Sequence, residues 1–509
     1  YSLNELNKLT QNFKINIIDF NGNINIHKTY INTQNKYRIF ARMKGIELFH
    51  SKFTIINNIS PGLKLQNNIW NYKFNLFDNQ KIVLNYLIKY IYNSERLKTG
   101  ESSCILNMKS GQGKTYLCMA LISYLKQKTL IIVPTSFLLS QWTNDLKKNM
   151  PDIKIGSYYT KKKQDGDVII MICNSALIKT YTFKYYKSKK KTTLDTLSYF
   201  NQFGLVIFDE VHKYCSSKFC KIFTKAQANY VIGVSATTNN RLDKLDIISW
   251  HYLGNVIYAD KIKNYNKTNI TFNINVTTIK YKGPEQYTKK LVSKYTGYIS
   301  FPLMINQICN DPYRKIVICN ELEKIYYNKF NVFIFADRRE YLKELAFILQ
   351  NKIKNNFFNE LTVIIYQFFL SINKGKEIKN IIKNIIEYTG DNIVLHSSIE
   401  IPELSILLGG STLSDIKNAK KNGQIIFSTF SYLDTGVSIE RMTHLIIATP
   451  RRNGWEQIIG RITRISGNYS ITRQIILIND IGTSLKKQIF FANNKIKKLF
   501  NSTNVEKKI

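Results

Sequence analysis

Short, unbroken apolar runs recur along most of the chain, and turn residues followed by a helical stretch come after each run. The first five runs lie at residues 105–106, 130–133, 168–172, 205–208 and 230–234. Strands made only of apolar residues, alternating with helices along the chain, are typical of a parallel sheet covered by helices on both faces. We therefore predict an α/β domain over residues 67–255.

The same pattern returns in the C-terminal half, at residues 332–335, 424–427, 445–447 and 474–478. It predicts a second α/β domain of similar build over residues 316–485. Residues 256–315 lose the pattern and are interpreted as a connector with some helix. Residues 1–66 show weak, strand-like alternation and are assigned to a small N-terminal accessory domain, and residues 486–509 form a basic, helical C-terminal tail.

Composition adds a candidate partner to this fold. The 509 residues are 44% hydrophobic, which indicates a folded protein, and their formal net charge is +38. Such a charge makes nucleic acid the first hypothesis for a partner. A coding bias that enriches Lys, Asn, Ile and Tyr is the alternative, because it would place much of this charge on solvated surfaces.

No membrane partner is expected, because the longest apolar run, residues 361–372, is too short to span a bilayer. The seven cysteines are scattered without metal-ligand spacing, which favours buried thiols in a reducing compartment. The chain is therefore expected to be soluble and intracellular.

A glycine-rich turn follows the first apolar run, and a helical stretch follows the turn. Its residues include Gly111, Gln112, Gly113, Lys114 and Thr115. Backbone N–H groups of such a turn bind phosphate oxygens, the lysine reaches the terminal phosphates, and the hydroxyl ligates Mg²⁺. The alternative is a glycine turn that caps an ordinary core helix.

Two acidic residues, Asp209 and Glu210, follow the fourth apolar run. A carboxylate at a strand end that faces a phosphate loop can hold Mg²⁺, and a second one can orient and deprotonate the attacking water. Asp-Glu after an apolar run often only caps a helix. Its distance from the phosphate loop, at the end of a buried strand, favours catalysis. The small hydroxyl residues of the 235–237 segment suit a link between the nucleotide site and movement elsewhere.

Arginine is rare, with thirteen residues, and six of them fall within residues 441–473. Arg461 and Arg464 are three residues apart and share a face if the segment is helical. Such a pair could reach the γ-phosphate from a second domain and stabilise the charge that develops during transfer. A solvated basic helix face is the alternative. We interpret the clustering as the mark of a site.

Taken together, residues 70–480 resemble a superfamily 2 helicase of the DExH-box kind. The motifs occur in the order of that family, and they lie at residues 111–115, 133–142, 209–212, 235–237, 332–338, 428–438 and 457–464. The resemblance implies two tandem RecA-like domains, with ATP and Mg²⁺ bound between them. Ser438 stands where the family commonly has an acid, which weakens the expectation of a ribose contact there.

The resemblance also implies roles for individual residues. Lys114, Asp209, Glu210, Gln457, Arg461 and Arg464 would be catalytic. Gly111, Gln112, Gly113, Lys114, Thr115, Gln80 and Gly436 would bind the nucleotide, with Gln80 recognising adenine, and Thr115 and Asp209 would hold Mg²⁺. Pro134, Thr135, Arg338 and Thr429 would contact the nucleic-acid backbone.

Within the superfamily, the chain looks most like the poxvirus-type transcription helicases of large cytoplasmic DNA viruses and the DNA-opening helicase of eukaryotic transcription factors. Residues 138–142, 209–213 and 335–342 carry this finer resemblance. It implies DNA rather than RNA as substrate, translocation from 3′ to 5′, and the transcription machinery as a partner. In a virus, the host cytoplasm or the virion would be the location.

Three alternatives remain open at this point. The chain could be a translocase that does not unwind duplexes, like a restriction-type motor subunit, or an RNA helicase. It could also be a nucleic-acid-binding module with an inactive nucleotide site, although the intact Lys114, Asp209 and Glu210 argue against that reading.

Overall fold

A computed structural model describes most of the chain. The described residues are 10–18, 24–32, 38–51, 54–65, 70–109, 111–159, 162–184, 191–238, 243–266, 273–294, 297–355, 399–433, 439, 441–451, 454–463, 471–499 and 502–508. The chain divides into two compact units, residues 1–268 (unit 1) and residues 269–509 (unit 2).

Unit 1 combines the elements of the first predicted α/β domain with an N-terminal segment. Its strands are β1 (Lys14–Ile18), β2 (Ile24–Lys28), β3 (Tyr30–Asn32), β4 (Arg38–Phe40), β5 (Ser103–Asn107), β6 (Thr129–Val133), β7 (Ile155–Tyr159), β8 (Lys162–Gln164), β9 (Val168–Ile172), β10 (Thr180–Lys184), β11 (Lys191–Asp195), β12 (Leu205–Asp209), β13 (Tyr230–Ser235) and β14 (Val256–Tyr258). Its α-helices are α1 (Arg42–Phe49), α2 (Asp78–Tyr90), α3 (Ser94–Lys98), α4 (Lys114–Leu125), α5 (Ser136–Asn149), α6 (Thr196–Phe200), α7 (Lys221–Lys225) and α8 (Ile247–Leu253).

The main sheet of unit 1 has the strand order β11-β10-β8-β7-β9-β6-β12-β13-β5-β14 in the described residues. Its centre, from β7 and β9 to β14, is parallel, whereas β8 and β11 run antiparallel to β7 and β10 at one edge. Strands β6, β9 and β12 are buried along their whole length. This burial on both faces explains why their sequences are continuous apolar runs.

The N-terminal segment forms two antiparallel pairs, β1 with β2 and β3 with β4, before α1. Arg42, the first residue of α1, joins this segment to the rest of unit 1. Its guanidinium donates hydrogen bonds of 2.7 Å to the carbonyl oxygens of Gly100 and Ala228. Burial of Arg42 lowers its pKa to about 10.

Unit 2 is a second α/β layer structure. Its strands are β15 (Ile274–Tyr281), β16 (Val332–Ala336), β17 (Leu404–Leu407), β18 (Ile425–Thr429), β19 (His444–Ile447), β20 (Arg473–Asp480) and β21 (Ser502–Lys508). Its helices are α9 (Phe301–Cys309), α10 (Pro312–Tyr327), α11 (Arg339–Asn355), α12 (Leu413–Lys421), α13 (Phe430–Leu433), α14 (Trp455–Ile459) and α15 (Lys486–Leu499).

The sheet of unit 2 has the order β17-β18-β16-β19-β20-β15-β21, and all its described pairs are parallel. The predicted α/β class with two parallel sheets is thereby confirmed. Two of its strands lie where other structure was expected. Strand β15 lies within the range interpreted as a connector, and β21 follows α15 within the tail that was expected to be helical.

A buried arginine, Arg314 at the start of α10, holds the helices of unit 2 to its sheet. Its side chain is completely buried and donates to both carboxylate oxygens of Asp480, at 2.6 and 3.1 Å. It also donates to the Tyr341 hydroxyl at 2.7 Å and to the carbonyl oxygen of Ala448 at 2.6 Å. The Asp480 carboxylate raises the pKa of Arg314 despite the opposing effect of burial. One guanidinium thus satisfies acceptors from β20, α11 and the end of β19.

Among the described helices, none is long and apolar enough to cross a membrane.

Candidate nucleotide site

The glycine-rich turn connects β5 to α4 as the sequence predicts. Gly111 and Gly113 have positive φ angles of 84° and 79°, a region that glycine occupies without the strain of a Cβ atom. A Cβ atom on Gly113 would also lie only 2.2 Å from Nε2 of Gln80. The positive φ therefore favours glycine at position 113, and a side chain there would displace the Gln80 amide.

The Lys114 ammonium group lies over this turn. Its Nζ donates to the carbonyl oxygen of Met108 at 3.1 Å and approaches that of Lys109 at 3.5 Å. Lys114 and Thr115 occupy the first turn of α4, where backbone N–H groups and the helix dipole favour an anion. The turn thus offers the donors that a phosphate group requires.

Gln80, the residue expected to recognise adenine, packs against the glycine-rich turn. Its Nε2 donates to the carbonyl oxygen of Gln112 at 3.0 Å, and its Oε1 accepts from the backbone N–H of Phe77 at 2.9 Å. Gln112 in turn accepts from the backbone N–H of Lys109 at 3.0 Å. Both ends of the Gln80 amide are therefore bonded to the protein, and its contact with a base stays a prediction.

The two predicted carboxylates lie at the same sheet edge as the turn. Strand β13 pairs with β5 on one side and β12 on the other, so the ends of these three strands are adjacent. Asp209 is only 7% exposed, and its carboxylate accepts from Trp142 Nε1 at 2.8 Å and from the backbone N–H of Glu210 at 3.0 Å.

The pKa of Asp209 is raised to about 6. Burial is the main cause and the neighbouring Glu210 charge adds to it, whereas the Trp142 hydrogen bond and the Lys114 charge oppose the shift. A divalent cation that binds this carboxylate would favour its ionised form in the same way as those two groups. Asp209 therefore has the burial and the charge surroundings expected of a cation ligand.

Glu210 belongs to a small polar cluster in which His212 contacts both Glu210 and Ser235. Nδ1 of His212 lies 2.8 Å from Ser235 Oγ and 3.4 Å from Glu210 Oε2. Ser235 Oγ lies 3.4 Å from the same carboxylate oxygen and accepts from the backbone N–H of Thr237 at 3.0 Å. Glu210 itself has a positive φ of 51°. The cluster connects the end of β12 to the segment that follows β13.

Two of the predicted nucleic-acid contacts, Pro134 and Thr135, lie at the start of α5. Thr135 Oγ1 accepts from the backbone N–H of Leu138 at 3.3 Å and so caps the helix. The same helix carries Trp142, the hydrogen-bond donor to Asp209. A single rigid element therefore joins these expected contacts to the carboxylate of the nucleotide site.

The other two predicted contacts lie in unit 2. Arg338 follows β16, and its guanidinium donates to Asn306 Oδ1 at 2.6 Å and to the carbonyl oxygen of Pro302 at 3.3 Å. Thr429 ends β18, and its hydroxyl accepts from the backbone N–H of Tyr432 at 3.3 Å. Both side chains have structural partners, and their contact with a strand stays a prediction.

The arginine-rich segment is only partly described, since Arg464 and Gly436 lie outside the described residues. Gln457 is on α14, which ends at Ile459, so Arg461 lies in the turn after the helix with 9% of its surface exposed. The shared face considered for Arg461 and Arg464 required a helical segment, and Arg461 lies outside α14. The proposed action of Arg461 on a phosphate stays a prediction.

Two of the clustered arginines, Arg441 and Arg473, have structural partners in unit 2. Arg441 donates to the carbonyl oxygens of Ala419 at 2.8 Å and Gly423 at 2.6 Å, at the end of α12. Arg473 donates to the carbonyl oxygens of Ile462 and Ile471, at 2.5 and 2.8 Å. Their planar guanidinium groups donate to backbone carbonyl oxygens in unit 2. The clustering of arginines in the sequence does not distinguish this structural role from ligand binding.

Comparison with known proteins agrees with this geometry. Residues 73–240, which carry the glycine-rich turn and both carboxylates, match the family described as type III restriction enzyme, res subunit. A relative, QP509L of African swine fever virus, is 28% identical over 412 residues, and its name assigns it provisionally to the ATP-dependent RNA helicases. The match covers 77% of this chain and 68% of the length of QP509L. The matches support a helicase-type, nucleic-acid-dependent ATPase.

Other relatives of this helicase-type ATPase come from large DNA viruses as well. L396 of Acanthamoeba polyphaga mimivirus, provisionally named an ATP-dependent RNA helicase, is 23% identical and covers 77% of this chain and 63% of its own length. Helicase 161L of Invertebrate iridescent virus 6, also a provisional name, is 22% identical. The match covers 82% of this chain and 81% of the length of 161L. Among solved structures, a fragment of an HsdR-type restriction subunit from Vibrio vulnificus aligns with 98% of this chain and 78% of its own, at 14% identity and a TM-score of 0.48.

Proposed function

We propose that this helicase-type ATPase moves along a strand of DNA, separates duplexes and acts in the transcription of a large DNA virus. The observation that carries the motor activity is the meeting of Lys114, Asp209 and Glu210 at one sheet edge, with Glu210 joined to Ser235 through His212. The choice of DNA and of transcription rests on the family resemblance of the sequence.

ATP and Mg²⁺ fit the residues present, because Lys114 and Thr115 lie in the first turn of α4 after the glycine-rich turn and Asp209 offers a buried carboxylate. Residues 111–115 would hold the phosphates, with Thr115 and Asp209 as cation ligands. Mg²⁺ would neutralise phosphate charge and polarise the transferred group. Glu210 would orient the attacking water and accept its proton.

The family resemblance adds further residues to the proposal. Arg461 and Arg464 would stabilise the charge that develops on the transferred phosphoryl group, and Gln457 would help to position them. Gln80 would recognise adenine, and Gly436 would lie against the nucleotide. A closed and an open state in each cycle of hydrolysis would convert the reaction into movement along a strand.

The direct test is ATP hydrolysis by the full chain with single-stranded DNA, single-stranded RNA or a DNA–RNA hybrid, each at low salt. We expect stimulation, with DNA the best activator, and a decline as salt rises because strand binding releases counterions. Lys114→Ala serves as the matched inactive control. A rate that no strand changes at low salt would refute the proposal.

Strand displacement separates the helicase from the translocase that does not unwind. We expect release of a labelled strand from a partial DNA duplex only with a 3′ single-stranded extension, since the family resemblance implies 3′ to 5′ movement. ATP hydrolysis that is strand-stimulated but never releases the labelled strand would assign the chain to translocases. Transcript release from a stalled polymerase tests the transcription role.

An RNA helicase is the second candidate, and the names of the viral relatives favour it. Those names assign QP509L and L396 provisionally to the RNA helicases. Single-stranded RNA would then stimulate hydrolysis more than DNA at equal nucleotide concentration, and RNA duplexes would be opened. The same assays therefore decide between the two substrates.

A further inference from the structure

A short antiparallel turn lies between β15 and α9 in unit 2. We define the Tyr298 hairpin as residues 289–294 and 297–299. Val292 and Ile299 form its antiparallel bridge. The backbone N–H of Ser293 donates to the carbonyl oxygen of Tyr298 at 2.8 Å, and that of Gly297 donates to the carbonyl oxygen of Ser293 at 2.9 Å. These bonds join the two described segments of the hairpin.

The hairpin is fixed to the helix that follows it. The backbone N–H of Ser300 donates to the carbonyl oxygen of Leu291 at 2.9 Å, and the N–H of Leu291 contacts Sδ of the buried Met304 at 3.3 Å. Helix α9 is itself held by Arg338, whose guanidinium donates to Asn306 at 2.6 Å. The hairpin is thus rigidly connected to Arg338, one of the residues expected to contact a strand.

The outer surface of the hairpin exposes apolar and aromatic groups. Tyr298 is 80% exposed, and Val292 and Ile299 are 53% and 48% exposed. A tyrosine so exposed contributes little to folding, because the hydrophobic gain requires burial of its ring. An exposed aromatic ring on a well-anchored turn is instead suited to stacking against a ligand.

The charge around this ring favours one class of ligand. Three lysines of the same hairpin, Lys289, Lys290 and Lys294, are all exposed. Residues 280–299 contain five lysines and one acidic residue, Glu285. A purely apolar protein partner would have to desolvate these ammonium groups, whereas a nucleic-acid strand supplies phosphates for them and bases for the ring.

We propose that the Tyr298 hairpin is a binding site for a single-stranded nucleic acid, with a base stacked on Tyr298 and adjacent phosphates paired with the three lysines. The inference rests on the proposed function and deepens it, because it adds a strand contact outside the helicase motifs. Stacking and backbone contacts do not depend on base sequence, as a motor that moves along a strand requires.

The test measures strand binding by the full chain without nucleotide, using fluorescence anisotropy of labelled 20-nucleotide homopolymers of DNA and of RNA. Tyr298→Ala should weaken binding by about 5-fold to about 150-fold, the equivalent of about 1–3 kcal/mol for one stacked base. Tyr298→Phe should retain wild-type affinity, since it keeps the ring. Tyr327→Ala is the matched control, because Tyr327 is 53% exposed at the end of α10, outside the hairpin.

The lysines are tested by salt dependence. Replacing Lys289, Lys290 and Lys294 together by Gln should reduce the slope of log affinity against log salt by about 2, since each phosphate contact on a single strand contributes about 0.7. Lys324→Gln and Lys343→Gln are the controls, because both lysines are exposed and paired within their own helices. An unchanged slope in the triple variant would remove the phosphate contacts from the proposal.

Three further results distinguish the possible failures. The hairpin site alone would be overturned if the wild type binds a strand and is stimulated by it while Tyr298→Ala keeps the wild-type affinity. Loss of affinity in Tyr298→Phe equal to that in Tyr298→Ala would exclude stacking. A wild-type chain that neither binds a strand nor is stimulated by one would refute the proposed function itself. ATP hydrolysis without a strand should be equal in Tyr298→Ala and the wild type, which shows that the variant is folded.

Discussion

The hydrogen bond from Trp142 to Asp209 predicts a measurable shift in the pH dependence of ATP hydrolysis. Trp142→Phe removes the Nε1 donor that lies 2.8 Å from the Asp209 carboxylate and keeps an aromatic ring. A hydrogen bond to a charged group contributes about 1.5–3 kcal/mol. At about 1.4 kcal/mol for each pKa unit, its loss should raise the pKa of Asp209 by about 1–2 units.

The direction of the effect on activity follows from the folded-state pKa. Asp209 already has a pKa raised to about 6, so the wild type loses its carboxylate charge as pH falls through that value. The variant should lose it at about pH 7–8. At pH 7 its activity should therefore be about 2–10-fold lower than that of the wild type, and activity should recover as pH rises towards 9. Saturating Mg²⁺ lowers both midpoints because it favours the ionised form.

The assay is steady-state ATP hydrolysis from pH 5.5 to 9 at fixed ionic strength, with a saturating strand. Trp250→Phe is the matched control, because Trp250 Nε1 is buried and has no hydrogen-bond partner among the described residues. Its profile should coincide with the wild type. If ATP hydrolysis by Trp142→Phe falls at the same acidic pH as that of the wild type, this hydrogen bond does not control the charge of Asp209.

Two further predictions concern the glycine-rich turn and the frame of unit 2. Gly113→Ala should reduce ATP affinity at least about 10-fold, as measured by titration calorimetry, because its Cβ would lie 2.2 Å from Gln80 Nε2. Gly45→Ala is the control and should leave ATP affinity unchanged, since its Cβ would meet only ordinary contacts. Arg314→Met should destabilise unit 2 by about 3–5 kcal/mol in urea unfolding, because Asp480 would stay buried without its cation. Equal unfolding curves for Arg314→Met and the wild type would contradict that reading.

The central strands could be predicted because burial on both faces leaves only apolar residues in them. The runs at 168–172 and 205–208 coincide with β9 and β12 to within one residue. Strand β15 was missed for the opposite reason. Its burial alternates along the strand, and its parallel partners β20 and β21 lie far away in sequence, so no local apolar run marks it.

The candidate site was predictable where its residues follow one another, as at positions 111–115 and 209–210. The contacts that tune the site were not, because the sheet topology makes them. Trp142 and Asp209 are 67 positions apart, and His212 and Ser235 are 23 apart. Arg314, 166 positions from Asp480, carried no motif at all. Residue type and spacing in the sequence identify the groups that could react. Burial and the hydrogen-bond and ion-pair partners of those groups set their pKa values and hence their charge.

The hydrolysis site is tested most directly by Glu210→Gln, which keeps the side-chain shape and removes the carboxylate. We expect the purified variant to bind ATP with wild-type affinity. Its strand-stimulated hydrolysis should fall by at least about 100-fold, since the group that orients and deprotonates the water is lost. Turnover at the wild-type rate by Glu210→Gln, in the presence of the activating strand, would contradict the assignment of this site.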